Sequence, residues 1–273
     1  MRPWENWDKE GVAARIHRIW MNDPTGYEGL HREILAKLLQ EYLISHNSSV
    51  LEAGCGTGLV YRALVPAVIS NEQYTGIDIS EKMLMIAKRD YPNGRFLRDD
   101  LFNLSFRDNS ASVVLCFEVL GHLPEIVTPI HEMIRVSERL IIFTVWVSQS
   151  GRTEEYGGTI DGHAFLRNHY VHEHIIEAIK AVEGNDTFGI EVRVLTESKW
   201  AYVIRKDSKD SYIRFYPFYG TTAKLIARNR RLHNESKDLK KEAAEFNRDL
   251  GVCMREIKRL KEKLQKLEAG VLR

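Results

Sequence analysis

The sequence predicts an α/β fold: a mostly parallel sheet, covered by helices on both faces, that closes with an antiparallel pair of strands and precedes a long helical tail. Three observations carry this. Between residues 50 and 147, apolar runs of strand length alternate with helical patterns across short loops, as expected for strand–helix–strand crossovers. Two β-rich runs, GIEVRVL and KWAYVIR, follow with only the interval from Thr196 to Lys199 to turn in, which is hairpin length. From Leu225 onward the apolar period changes to a strict seven. A chain of 273 residues, 44% hydrophobic and 28% charged, can bury one sizeable core and still carry an appendage. The expected organisation is a helical cap over 1–47, a main domain over 48–220 and a tail over 221–273.

The elements read in order as follows. Apolar residues recur at helical spacing from 11 to 45 (Val12, Ile16, Ile19, Trp20, then Leu30, Ile34, Leu35, Leu38, Leu39), with a break at the turn from Asn22 to Gly26, so two helices come first. Then come the strand VLEAG, a helix near 58–69, the strand YTGIDI and a helix from Glu81 to Arg89. RFLRDD, SVVLCFEV, a helix near 125–137 and RLIIFTVWV complete the alternation. Residues 148–170 read as a loop, which Gly151, Gly157 and Gly158 would allow to move, and a helix runs from His172 to Val182. The aromatic run SYIRFYPFYG at 211–220 is expected to pack the base of the tail onto the domain.

In the tail, Leu225, Leu232, Leu239, Phe246, Cys253, Leu260 and Leu267 fall one heptad apart, and Ala243, Leu250, Ile257, Leu264 and Val271 form the second apolar series. This predicts a parallel two-stranded coiled coil over 225–271 and hence a homodimer. Net charge is +1, but residues 221–273 hold 15 Lys plus Arg against 8 Asp plus Glu, and the first 220 residues are acidic by six. The tail's charges of both signs are interleaved, which suits a solvated helix face and disfavours nucleic acid as a partner. The N-terminus has no signal-like apolar stretch, and the longest apolar run, residues 140–147, is too short to span a bilayer, so the expectation is a cytoplasmic protein. Cys55, Cys116 and Cys253 lie far apart with no metal-ligand spacing, so no metal site is expected.

The stretch VLEAGCGTGLV, residues 50–60, places Gly54, Gly56 and Gly58 in a turn between strand and helix. A dinucleotide site wants G-x-G-x-x-G, and Leu59 stands where the third glycine belongs. Glu52, at the mouth of the turn, would repel a pyrophosphate and attract a cation. A ligand with adenosine at one end, an amino group at the other and no phosphate fits. Asp78 ends YTGID at the carboxyl edge of the sheet, where it can accept from both ribose hydroxyls, and Asp100 follows the third strand, where it can accept from an adenine amino group.

Residues 50–123 therefore resemble the cofactor site of the class I S-adenosylmethionine-dependent methyltransferases, through VLEAGCGTG, YTGIDISEKMLMIAK, RFLRDDLFNLSF and VVLCFEVLGHLPE. The resemblance implies a Rossmann-like sheet with an antiparallel final hairpin, and S-adenosyl-L-methionine as cofactor. It also implies that Glu52 lies near the methionine end, Asp78 holds the ribose, Asp100 meets adenine, and Gly54, Gly56 and Gly58 form the close-approach turn. Ala53, Cys55, Ile79, Met83, Leu101 and Phe117 complete the implied cofactor pocket. One departure is Ser112, where the family usually has an acid; its effect is expected on local packing or substrate shape.

Near the methyl group the family places the loop after the fourth strand, here Phe117, Glu118, Gly121 and His122. His122 is the candidate general base, and Glu118 would orient it or bind an acceptor hydroxyl. The metal-binding pattern E-x-x-E-H of some relatives lacks its second acid here, and the Asn/Asp-Pro-Pro-aromatic signature of amino-group methylation is absent. The loop 148–170, with Tyr156, Asp161, His163, Arg167, His169 and Tyr170, lies where relatives cover the substrate. Trp4, Trp7, Trp20 and Tyr27 are candidates to line the acceptor pocket. The function expected is methyl transfer to oxygen of a small-molecule or sugar acceptor. The alternative is a non-catalytic scaffold whose coiled coil mediates assembly; the retained glycines and ribose acid favour the enzyme.

Overall fold

The computed structural model describes residues 3–9, 11–22, 39–42, 48–65, 68–160, 162–182, 188–196, 198–208 and 210–216. The chain divides into two compact units, Met1–Ala223 and Lys224–Arg273. The segment 225–271 expected as a coiled coil, with the dimer that rests on it, lies outside the described residues, as does most of the second N-terminal helix. Among the described residues, no helix is long and apolar enough to cross a membrane.

The first unit is built on an eight-stranded sheet. Strands β1 (Val50–Ala53), β2 (Tyr74–Asp78), β3 (Arg95–Arg98), β4 (Ala111–Cys116) and β5 (Ser137–Trp146) run parallel, with β1 between β2 and β4. Two further strands, β6 (Glu154–Ile160) and β7 (His163–His169), form a separate antiparallel pair. Strands β8 (Gly189–Val194) and β9 (Lys199–Arg205) form the antiparallel closing hairpin, with β9 against β5. Strand β10 (Tyr212–Tyr216) adds parallel to β8 at the edge. The strand order turns around between β1 and β4, and the crevice at the carboxyl ends of strands at such a point is where open α/β sheets bind ligands.

Alternation along the central strands divides the core in two. Leu51, Val114, Cys116, Ile141 and Phe143 face one layer, which helices α4 (Val127–Val136) and α5 (His172–Lys180) cover with Ile130, Met133, Ile134, Ile175 and Ile179. Val50, Val113, Leu115, Leu140 and Ile142 face the other, covered by α2 (Leu59–Leu64) and α3 (Glu81–Asp90) through Tyr61, Leu64, Leu84 and Ala87. Helix α2 ends at Leu64, short of the expected residue 69, with Val65 as its last helical-backbone residue (φ −61°, ψ −46°). A third, smaller cluster joins α1 (Val12–Asn22) to the rest: Val12, Ala13 and Ile16 meet Met83 and Phe165, with Trp7 and Trp20 packed against them. The N-terminal segment is pinned by polar bonds too. Asp8 Oδ1 accepts from the Lys82 N–H at 3.0 Å in the first turn of α3, where a carboxylate also suits the helix dipole, and the Ser80 hydroxyl caps that helix by accepting from the Met83 N–H at 3.2 Å.

One expectation is corrected. Residues 148–170, read as a loop, hold the β6–β7 hairpin; Gly157 and Gly158 hide the alternation, but Asp161-Gly162 at its tip is a strong two-residue hairpin signal, with Gly162 at φ 79°. The run SYIRFYPFYG supplies an edge strand, with Tyr212 in register with Gly189 and Tyr216 with Arg193. Ser112 lies at the amino end of β4, where its N–H donates to Ser49 Oγ at 2.9 Å and its hydroxyl to Glu138 at 3.1 Å. It therefore ties neighbouring segments together at the end of the strand opposite the crevice.

Arg135 in α4 fixes the segment that precedes β4. Its Nε and one terminal nitrogen donate to the two oxygens of Glu132 at 2.8 and 2.7 Å, and the remaining N–H groups reach Asp108 at 2.7 Å and the carbonyls of Phe106 and Leu104 at 2.8 and 2.9 Å. Every donor of the guanidinium is thereby used.

Candidate active site

The turn after β1 is shaped by close packing. Gly54 has φ 76°, and a Cβ there would lie 2.2 Å from Val119 Cγ2; Gly58 has φ 79°, and a Cβ there would meet Tyr91 at 2.9 Å. Both positions require glycine, for backbone conformation and for space. The N–H groups of Gly54 and Cys55 both donate to the Ile77 carbonyl at 2.8 Å. Asp78 holds the turn from the neighbouring strand: Oδ2 accepts from the Gly56 N–H at 2.8 Å and Oδ1 from the Ser80 N–H at 2.9 Å. Burial raises the Asp78 pKa above the ordinary carboxylate value, while these backbone donors pull it the other way.

A cleft of about 300 Å³ opens above this turn at the carboxyl ends of β1, β2 and β4. Of the residues singled out in the sequence, Glu52, Gly54, Cys55, Gly56, Asp78, Ile79, Met83, Asp100, Leu101 and Phe117 line it, and so do Glu118 and His122. Ala53 and Gly58 do not: Ala53 is wholly buried in the core beneath the sheet, and Gly58 packs under Tyr91 and Phe96. Trp7 and Trp20 also line the cleft, whereas Tyr27 and the side chain of Trp4 lie outside the described residues.

The floor is acidic. Glu52 is 1% exposed, and its Oε2 accepts from the Tyr74 hydroxyl. Burial, followed by the charge of Glu52, pushes the Tyr74 phenol well up, so it stays a donor. Asp100 Oδ1 accepts from the Phe102 N–H at 3.0 Å, and Asp99 binds the Ser105 hydroxyl at 2.9 Å, which shapes the adjoining wall. The thiols nearby are inert: burial pushes both Cys55 and Cys116 up, and the carboxylates of Asp78 and Glu52 add to it.

The opposite end is built from β4, β5, β9 and the β6–β7 hairpin. Glu118 has φ 62°, a left-handed backbone that costs about 1 to 2 kcal/mol for a residue with a Cβ. It is held there by bonds at both ends: its N–H donates to Thr144 Oγ1 at 2.9 Å, and its carboxylate takes the Thr144 hydroxyl at 3.3 Å and the buried Lys199 ammonium. His122 stands edge-on between Trp7 and Trp146, with ring centroids at 5.0 and 5.1 Å. Its Nδ1 lies 2.7 Å from the Leu166 carbonyl. A carbonyl only accepts, so Nδ1 carries the proton and the lone pair of the neutral ring is on Nε2. The imidazole is thus oriented by β7, and Glu118 by β5 and β9. Sequence reasoning did not find Thr144, Lys199 or Trp146. Their signal lies in strand pairing, since Trp146 is in register with Lys199 across β5 and β9.

A glycine turn after the first strand, an acid closing the second, a strand order that turns around between β1 and β4 and an antiparallel closing hairpin are together the features of the Rossmann-like fold of class I S-adenosylmethionine-dependent methyltransferases. Residues 50–139 match the family described as a methyltransferase domain. A demethylmenaquinone methyltransferase of Staphylococcus aureus is 29% identical over 140 residues, which are 47% of this chain and 58% of that protein. The match therefore spans little more than half the length of such relatives. Among solved structures, the magnesium protoporphyrin IX methyltransferase of Synechocystis PCC 6803 with bound SAH superimposes with TM-score 0.54 at 19% identity, over 75% of this chain and 98% of that one. A SAM-dependent methyltransferase from Aquifex aeolicus gives TM-score 0.52 at 17% identity, over 71% and 97%. At these identities the likeness is one of fold.

Proposed function

We propose that the domain transfers a methyl group from S-adenosylmethionine to a hydroxyl of a small molecule, with His122 as the base. One observation carries the reading: a single apolar cleft has buried or half-buried acids at its floor and an oriented imidazole at its far end. The residues fit the cofactor, because Glu52 suits a cationic amino group, Asp78 a pair of ribose hydroxyls, and Ile79, Leu101 and Phe102 the faces of an adenine. When bound, S-adenosylmethionine supplies an electrophilic methyl on a good leaving group. The chain's own part is to hold the acceptor oxygen in line, exclude water with Trp7, Trp146 and Ile160, and take the hydroxyl proton on Nε2 of His122. The names of the relatives point to different acceptors, so the walls of this cleft decide. Trp7, Phe117, Leu123 and Ile160 favour an apolar acceptor over a sugar, whose hydroxyls would need polar partners along that wall.

Calorimetric titration with S-adenosylmethionine tests the assignment of the floor. Asp78→Ala should weaken binding by about 1.5 to 3 kcal/mol, the range for hydrogen bonds to a charged group. Equal affinity in the two proteins would sink the ribose role.

We further propose that residues 225–271 pair two chains in parallel. Glu235 facing Lys240, Glu256 facing Lys261 and Lys263 facing Glu268 of the second copy support that direction, each exposed pair contributing about 0.2 to 1 kcal/mol. Light scattering should give a dimer for the whole chain and a monomer for a chain ending near Gly220. A full-length monomer at micromolar concentration refutes the pairing.

A further inference from the structure

The cleft carries one cation that the methyl-transfer reading leaves idle. Arg167 is on the cleft-facing side of β7, the side that also presents Phe165 to the small apolar cluster and His169 to Trp146. Its guanidinium lies over the Trp146 ring at 4.9 Å. Lys199 approaches the same ring at 5.4 Å, but that ammonium is neutralised by Glu118. Among the described residues no carboxylate pairs with Arg167; of the acids lining the cleft, Glu118 is paired with Lys199, and Glu52, Asp78, Asp99 and Asp100 lie on the floor at the carboxyl ends of β1 to β3.

The resulting field has a direction. An anionic group on the acceptor is repelled by the floor and attracted to the roof, and the planar fork of an arginine matches a carboxylate in a two-bond grip. The base stands close by. His122 is bonded to the Leu166 carbonyl, one residue before Arg167, and His122 and Arg167 lie 5.1 and 4.9 Å from the same indole, which caps their separation at about 10 Å. An aromatic body of one or two rings can meet both groups if it lies across the cleft with its polar ends turned toward them, and Trp7, Trp146 and Ile160 offer it apolar walls.

We propose, building on the methyltransferase reading, that the acceptor is an aromatic hydroxy acid: its carboxylate is bound by Arg167 and its hydroxyl is delivered to His122. The probe is 6-hydroxy-2-naphthoate, compared with its neutral isostere 6-hydroxy-2-naphthamide, by calorimetric titration of the full chain with and without saturating S-adenosylhomocysteine. The acid should bind at least about tenfold more tightly than the amide, and Arg167→Gln should erase the difference while leaving the affinity for S-adenosylhomocysteine unchanged. Equal affinities for acid and amide, no binding of either, or a preference that survives Arg167→Gln would overturn the proposal. Failure of S-adenosylhomocysteine to bind would instead strike the methyltransferase reading, and the comparison made without it still decides the role of Arg167.

Discussion

Replacing His122 by alanine should lower turnover by about 10² to 10⁴-fold and leave the affinity for S-adenosylmethionine nearly unchanged. An alcohol is a poor nucleophile at neutral pH, and the gain from a positioned base is of this size. The geometry fixes which nitrogen acts. The Leu166 carbonyl holds the proton on Nδ1, so the lone pair of the neutral ring is on Nε2, and the flanking Trp7 and Trp146 rings restrict its turning. The same packing means that alanine leaves a gap between two indoles, so a loss of rate alone has two explanations. His122→Gln separates them: its amide fills the gap and can donate to Leu166, but it takes no proton. Both variants should be equally impaired, and both should lose the rise of rate with pH that an imidazole base imposes. If His122→Gln restores turnover, the ring is a spacer.

The second large effect is on stability. Arg135→Met should cost about 3 kcal/mol at neutral pH, the lower end of the range for breaking a buried ion pair, because the guanidinium is about one-third exposed. The loss is of all the bonds to Glu132, Asp108 and two carbonyls together, and it leaves the half-buried Glu132 carboxylate with only the Leu104 N–H, at 2.7 Å, of its present partners. The pH dependence identifies the cause. Hydrogen bonding to Arg135 holds the Glu132 carboxyl below its ordinary value in the folded protein. A carboxyl depressed in this way contributes stability above its unfolded pKa of about 4.3, and that contribution fades as pH falls through the folded value. Denaturant melts should therefore show the gap between wild type and Arg135→Met narrowing on acidification below about pH 4. A gap that stays constant down to pH 3 would mean that the pair with Glu132 is not what the arginine contributes.

What the sequence makes legible is local. Strands β1, β2, β4 and β5 read from continuous apolar runs because both faces of each are covered, and the glycine turn and Asp78 read because they sit at the ends of those runs. The acceptor end reads poorly. Lys199 looks like a turn residue until β9 is laid against β5, which drives its side chain under Trp146 and onto Glu118. Ala53 and Gly58 belong to the glycine stretch by position, yet one faces the core and the other packs beneath two aromatic rings, a distinction that needs the direction of each side chain. The β6–β7 hairpin escapes because its inward face mixes Ile160 and Phe165 with Arg167 and His169, so no clean hydrophobic period marks it.

The N-terminal segment that roofs the cleft has a consequence for the order in which the molecule is completed. Asn6 donates to the Ala164 carbonyl at 2.6 Å across 158 positions of chain, and Trp7 packs on Phe165 at 4.5 Å. At about 5 to 20 residues added per second, the segment holding Asn6 and Trp7 is made some 8 to 30 s before its partners in the hairpin exist. The floor of the cleft is translated well before that. The residues of the cofactor floor are thus made before those that complete the acceptor walls, and Trp7 has no Phe165 to pack on in the interval.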